Sequence, residues 1–375
     1  MKTIKLFSLI VLFCTGFILT VGANSVDEID RYYNQQMSVV NIEESTDALD
    51  NSAKKILEDM GVNVFSIEEF SSPDIKSVFK VIINCFKNGI KTPFKITLSV
   101  VGMILIFTLI NATVPIEENY GGYNIFLVFA VILIFFSSLY ELLTGCEAVL
   151  KSLSAFLVVF IPCLCGVLTA LGYTVTSAGA SAMLIMSLDG MSLLSSYVLI
   201  PAATAVMCLG LGAGVSPLGG VATLCAYIKK CVLWCVGIAS GIFSSVLGMQ
   251  TAVSAAGDNI AVKASKTLIT GIFPVMGPTL AETLNTARGS LLVLKSGVAI
   301  YGIVAIIAIL LPMVISLLCW RLSFAVCRLT AEFFEIKGIS TVFESVDFCV
   351  TILLGSTVFI GMLYIISVAT VSGVR

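Results

Sequence analysis

The charged residues with a claim to chemistry in this chain are concentrated in one segment. Residues 249–296, "MQTAVSAAGDNIAVKASKTLITGIFPVMGPTLAETLNTARGSLLVLKS", hold Asp258, Lys263, Lys266, Glu282, Arg288 and Lys295. At helical spacing Asn259 and Lys263 lie one turn apart, and Asp258 and Lys266 fall close to the same side. Pro274, Pro278 and the neighbouring Gly271 and Gly277 then interrupt any regular helix. A run this small and polar is not a stable lipid-facing span. It reads as a soluble loop, an interfacial helix, or helices lining a polar cavity. A short apolar piece broken by Gly and Pro is also the pattern of a discontinuous membrane helix, whose freed backbone groups serve a site.

No catalytic set accompanies these charges. The chain has no histidine, which removes the commonest general base and the commonest metal ligand. It has no Walker-type phosphate loop and no Gly-x-Ser-x-Gly. Nucleotide hydrolysis is therefore not expected, no cofactor is implied, and any energy would come from a partner. The 12 cysteines include no Cys-x-x-Cys. Most lie in apolar runs, where free cysteine behaves as a small hydrophobe rather than a zinc ligand; Cys85, ahead of the first span, is the one placed to pair with another chain. Asp189, in "SLDGMS", is an acid between two apolar runs. The following Gly190 points to a turn, so it reads as a loop aspartate.

The elements that position these residues are set by composition. Of the 375 residues 58% are hydrophobic and only 12% charged. Mean hydropathy is +1.05. A soluble surface needs roughly a quarter of its residues charged, so lipid must cover much of this chain. The net charge of −2 gives no nucleic-acid reading. The expected fold is an all-α polytopic membrane protein.

Residues 1–23 read as a cleavable signal peptide, with Lys2 and Lys5 before the apolar "LFSLIVLFCTGFILT" and small residues at "VGA"; the alternative is an uncleaved anchor helix. Residues 24–92 form a small polar, helical, extracytoplasmic region. Ser45 to Asp47 marks a helix start and Gly61 a stop. After Ser72-Pro73-Asp74, the residues Ile75, Val78, Phe79, Ile82, Ile83 and Phe86 make an apolar face. That helix either lies on the membrane surface or packs in a small helical domain.

Residues 93–375 form the membrane domain. Spans of about 20 apolar residues fall near 95–113, 123–143, 153–172, 193–214, 231–248, 297–319 and 348–370. Shorter stretches at 175–188, 217–228 and 268–279 read as broken, re-entrant or tilted pieces, giving a bundle of about seven or eight transmembrane helices. "TSAGASAM" (176–183), "CLGLGAG" (208–214) and "GIASGIFSSVLG" (237–248) supply small residues for close helix contact. The distribution of Lys and Arg does not fix the topology, because either parity leaves a cluster of cations outside. Residues 319–337, "CWRLSFAVCRLTAEFFEIK", put Arg321, Arg328, Glu332 and Glu335 on one face and read as an interfacial helix or elbow.

Taken together, a signal peptide, a short polar region and a hydrophobic bundle carrying "QTAVSAAGDNIAVKASKTLITGIFPVMGPTLAETLNTARGSLLVLKSGVAIYGI" resemble the stage III sporulation protein AE family of endospore-forming bacteria. The matching features are Asp258, Ala261, Lys263 and Lys266, then "IFPVMG", Glu282 and "LLVLKSG". Phe273 stands where Ile is expected before Pro274. The resemblance implies a non-enzymatic subunit in the mother-cell membrane around the forespore. Its implied partners are the other products of its operon, including an ATPase, and a forespore membrane protein, together forming a channel or secretion-like complex needed for late forespore development. It transfers no catalytic residue. The residues expected to line a pore or meet a partner are Asp258, Lys263, Lys266, Pro274, Gly277, Pro278, Glu282 and Arg288. A self-contained transporter and an assembly scaffold without a conducting path are the other readings.

Overall fold

The computed structural model describes residues 46, 49–60, 75–113, 120–215, most of 220–249, and 277–373. Residues 1–23, with the expected signal peptide, and most of the 24–92 region therefore lie outside the described residues. The described chain contains helices and turns and no strand. Among the described residues six helical stretches are long and apolar enough to cross a membrane: Phe79–Ile110, Ile125–Ala170, Thr174–Gly214, Ala226–Phe243, Lys295–Phe333 and Gly338–Ser372.

The helices are longer than hydropathy alone indicates. Helix α1 is Asn51–Asp59, α2 is Ile75–Thr113 and α3 is Tyr120–Ala170. Then α4 (Thr174–Leu194) passes through a π-helical turn (Ser195–Leu199) into α5 (Ile200–Val215). Finally α6 is Gly277–Phe333 and α7 is Lys337–Gly373.

Three expectations change. The stretches 123–143 and 153–172 are halves of the single helix α3. Between them lie Glu147 and Lys151, an i,i+4 ion pair at 2.7 Å, and only Gly145 to interrupt. A loop would leave backbone groups unpaired in lipid, whereas a continued helix pairs them all. At about 1.5 Å per residue, α3 exceeds twice the ~30 Å hydrocarbon core. Next, Asp189 and Gly190 lie inside α4, with Asp189 exposed on it, so the loop reading fails. One helical glycine costs only about 1 kcal/mol, far less than unpaired backbone at that depth. The third change concerns residues 319–337. They continue α6 to Phe333 and turn directly into α7, so there is no separate elbow.

The surface-lying helix is likewise not separate. Helix α2 runs from Ile75 through Pro93 into the first span. Phe79, Ile83 and Phe86 of its apolar face are exposed and face outward, while Val81 on another face is buried. Thr97 Oγ1 donates to the Pro93 carbonyl at 2.8 Å and contacts Ser323 Oγ of α6, which reaches the same carbonyl at 3.3 Å. Helix α1 begins at Asn51, after Asp50, rather than at Ser45 to Asp47, and it ends at Met60 beside the expected stop. It packs on α6, and Thr46 Oγ1 hydrogen-bonds with Tyr301 Oη at 3.0 Å.

Helix α6 is the centre of the bundle and touches α1, α2, α3 and α7; α5 packs on α7, and α4 on α3. One buried aromatic cluster joins Phe135 of α3, Trp320 and Phe324 of α6 and Phe343 of α7. Phe156 and Phe160 of α3 pack on Tyr301 of α6 to form another. Small residues set the closest approaches. A Cβ on Gly302 would fall within the Phe160 ring, and one on Gly210 would strike Ser345. The 208–214 stretch thus packs as expected. The 237–248 stretch differs: Cβ atoms on Gly237, Gly241 and Gly248 would meet nothing within 4 Å among the described residues.

Candidate functional site

The expected site residues divide at the start of α6. Asp258, Lys263, Lys266 and Pro274 lie outside the described residues. Gly277 and Pro278 are the first two residues of α6, where proline's missing N–H has no helical partner to lose. Pro278 therefore sits in the first turn of α6, and Pro274, the other proline of the expected break, lies outside the described residues. Glu282 and Arg288 follow on the same helix, and Arg288 comes seven residues, two turns, before Lys295.

Lys295 is where this segment enters the bundle. It is only 2% exposed, the one charged side chain buried among the described residues. Its ammonium lies 5.1 Å from the centre of the Tyr173 ring, over the ring face. A ring quadrupole attracts a cation, and more strongly where water is excluded. Tyr173 is held there by the end of α3. Gly172 takes φ 83°, its N–H bonds to the Thr169 carbonyl, and the Tyr173 N–H bonds to the Leu168 carbonyl. This is the Schellman closure, and its left-handed residue favours glycine. The segment's last lysine is thus fixed against the α3–α4 turn, beside the Phe156–Phe160–Tyr301 cluster one to two turns further along α6.

The opposite end of α6 carries the second set of charges. Arg321 Nε donates to Asp347 Oδ1 of α7 at 3.2 Å, with both side chains about two-thirds to three-quarters covered. Arg328 Nε donates to Glu332 Oε1 at 2.8 Å, the i,i+4 pair legible in the sequence, and its Nη2 lies 4.0 Å from Glu344 Oε2. Ser340 Oγ donates to the same Glu332 oxygen at 3.3 Å. These groups pair two arginines with three carboxylates across the α6–α7 hairpin. Glu335, expected on that charged face, instead occupies the turn with φ 56°, its N–H on the Glu332 carbonyl and the Ile336 N–H on the Ala331 carbonyl.

Half of the described cysteines are buried packing groups, while Cys208, Cys231 and Cys235 are exposed. Cys146, Cys165, Cys319, Cys327 and Cys349 are buried, and the described ones are free thiols. Cys349 Sγ of α7 donates to the Ala203 carbonyl of α5 at 3.3 Å. Cys85 is half-buried on α2.

Sequence reasoning did not find Tyr173 as the partner of Lys295, nor Asp347 as that of Arg321. No local spacing signals either pairing.

Among the described residues the fold is all-helical, and its six long apolar helices are those of a multi-pass membrane protein. The family model for stage III sporulation protein AE matches residues 62–374, and the chain belongs to that family. A relative described as stage III sporulation protein AE, from Bacillus subtilis (strain 168), is 22% identical over 235 residues, covering 62% of this chain and 52% of that one. The chain thus spans about half the length of the curated relative it matches. No solved structure matches. Membership places the protein in sporulation.

Proposed function

We propose that this protein is a non-enzymatic, integral subunit of a complex linking mother cell and forespore, seated in the mother-cell membrane around the forespore. It acts with the other products of the stage III sporulation A operon, including an ATPase that supplies energy, and with a forespore membrane partner. In this reading residues 1–23 are removed as a signal, residues 24–92 stand outside the cytoplasm, and residues 93–375 form the membrane body. The working part is 249–296, where Asp258, Lys263, Lys266, Pro274, Gly277, Pro278, Glu282 and Arg288 line a path or meet a partner.

Lys295 carries the reading. An ionisable residue within a membrane span is functional by default, and this one is buried at the first residue of the span Lys295–Phe333. A bundle held by packing alone has no use for it, since burying a charge costs free energy that an apolar residue of equal volume avoids. The test is a deletion strain. Loss of late forespore transcription after normal engulfment supports the reading, and normal late transcription refutes it.

A further inference from the structure

Helix α2 carries five lysines and no acidic residue. All five come before residue 96, and the 18 residues 96–113 are uncharged. At about 1.5 Å per residue those residues span ~27 Å, close to the thickness of the hydrocarbon core. Of the apolar stretch Phe79–Ile110, only the part after Lys95 is free of charge. Lys95 therefore marks the edge of the hydrocarbon on this helix, and the other lysines lead up to it.

Lys80, Lys87, Lys91 and Lys95 follow one another at seven, four and four residues, so they share one side of α2. All four are exposed. None forms an ion pair with a described residue. Lys91 Nζ donates instead to the neutral Asn88 Oδ1 at 3.4 Å. The carboxylate of Asp59, at the end of α1, acts on Cys85. Cys85 is half-buried and lies one turn before Gly89, which meets Ile315 and Cys319 of α6.

The side next to the lysines is apolar and also bare. Phe79, Phe86 and Phe94 each directly precede a lysine, and they are 60%, 45% and 65% exposed. Neighbouring helical residues point about 100° apart, so each ring stands beside an ammonium. Such a pair suits a molecule with an anion at one end and hydrocarbon at the other. The headgroup layer is about 5–8 Å deep outside the core. Lys95 and Lys91, one turn apart, fall within it, while Phe94 meets the first acyl carbons. An acidic peptide would match the lysines, but at the edge of the hydrocarbon acyl chains already lie against Phe94. We infer that this Phe-Lys rib of α2 binds anionic phospholipid, with the headgroup held by Lys91 and Lys95 and the acyl chain against Phe94.

The test uses the full chain in bilayers that mix phosphatidylcholine and phosphatidylglycerol, one of the two carrying dibrominated acyl chains. Trp234 and Trp320 are replaced by phenylalanine, and Phe94→Trp reports on the rib. Bromine quenches only an indole that the acyl chain touches, so quenching gives the relative affinity of the two lipids at that place. At low salt phosphatidylglycerol should be preferred about fivefold or more, the effect of a lysine or two near an anionic headgroup. Lys91→Gln with Lys95→Gln should bring the preference below about twofold. The preference is a ratio between lipids, so a lower yield of the variant does not imitate it. Salt at about 1 M, where the screening length is ~3 Å, should do the same with both lysines in place. Equal quenching by the two lipids at low salt overturns the inference, and so does a preference that survives the glutamines. Quenching by neither lipid would show that protein covers the rib, and it overturns the inference as well.

Discussion

Lys295 of α6 places its ammonium over the ring of Tyr173, 5.1 Å from the centroid, at the turn that joins α3 to α4. Relieving the desolvation cost of a buried ammonium offsets the loss of its contact with the ring. Lys295→Met should therefore leave the amount and thermal stability of the membrane protein nearly unchanged while lowering the yield of heat-resistant spores. Tyr173→Leu removes the ring and should lower stability by about 2 kcal/mol or more, as for a desolvated cation–π pair. Thermal unfolding in detergent and spore counts separate the two effects. Full sporulation with Lys295→Met would reduce this lysine to packing.

The approach of α6 to α3 rests on Gly302, which leaves no room for a Cβ against Phe160. Gly302→Leu should destabilise the bundle by about 1–3 kcal/mol, as overpacking does. Adding Phe160→Ala should recover part of the loss, because neighbours in contact do not add. Strict additivity in the double variant would contradict the contact.

At the α2–α6 contact, Thr97 and Ser323 share the Pro93 carbonyl. Hydrogen bonds between membrane helices contribute about 0.6 kcal/mol, rising to about 1.7. Thr97→Val and Ser323→Ala should each fall in that range, and the double variant should cost less than their sum. Equilibrium unfolding of the four proteins measures the coupling.

Glu335 holds a left-handed backbone, φ 56°, at the α6–α7 turn. Glycine relieves about 1–2 kcal/mol of strain there and returns about 0.5–1 kcal/mol through the entropy of the unfolded chain. Glu335→Gly should raise stability by about 0.5 kcal/mol or slightly more. A lower midpoint in thermal unfolding would show that its carboxylate matters more than its φ.

Much of this architecture was legible in the residues. The apolar runs gave an all-helical membrane protein, and Arg328–Glu332 followed from i,i+4 spacing. The small residues at 208–214 marked a true close approach. The helix ends were less legible. Hydropathy drops at Glu147–Lys151 and Gly190 suggested loops, but neither outweighs the need to pair backbone in lipid. The π-helical turn at Ser195–Leu199 is a one-residue slip of hydrogen bonding and has no signature in composition. At the site, Gly277 and Pro278 fall at the start of α6, and the rest of the expected break lies outside the described residues. The pairings Lys295–Tyr173 and Arg321–Asp347 join distant parts of the chain, and only the packing of α6 against its neighbours creates them.

The central claim is that this protein works as a subunit among its operon partners. Affinity purification of the full-length protein from membranes of sporulating cells tests it most directly. The account predicts that the other operon-encoded proteins, the ATPase among them, are recovered with it in fixed proportion. Recovery of this protein alone, from cells shown to contain those proteins, would contradict it.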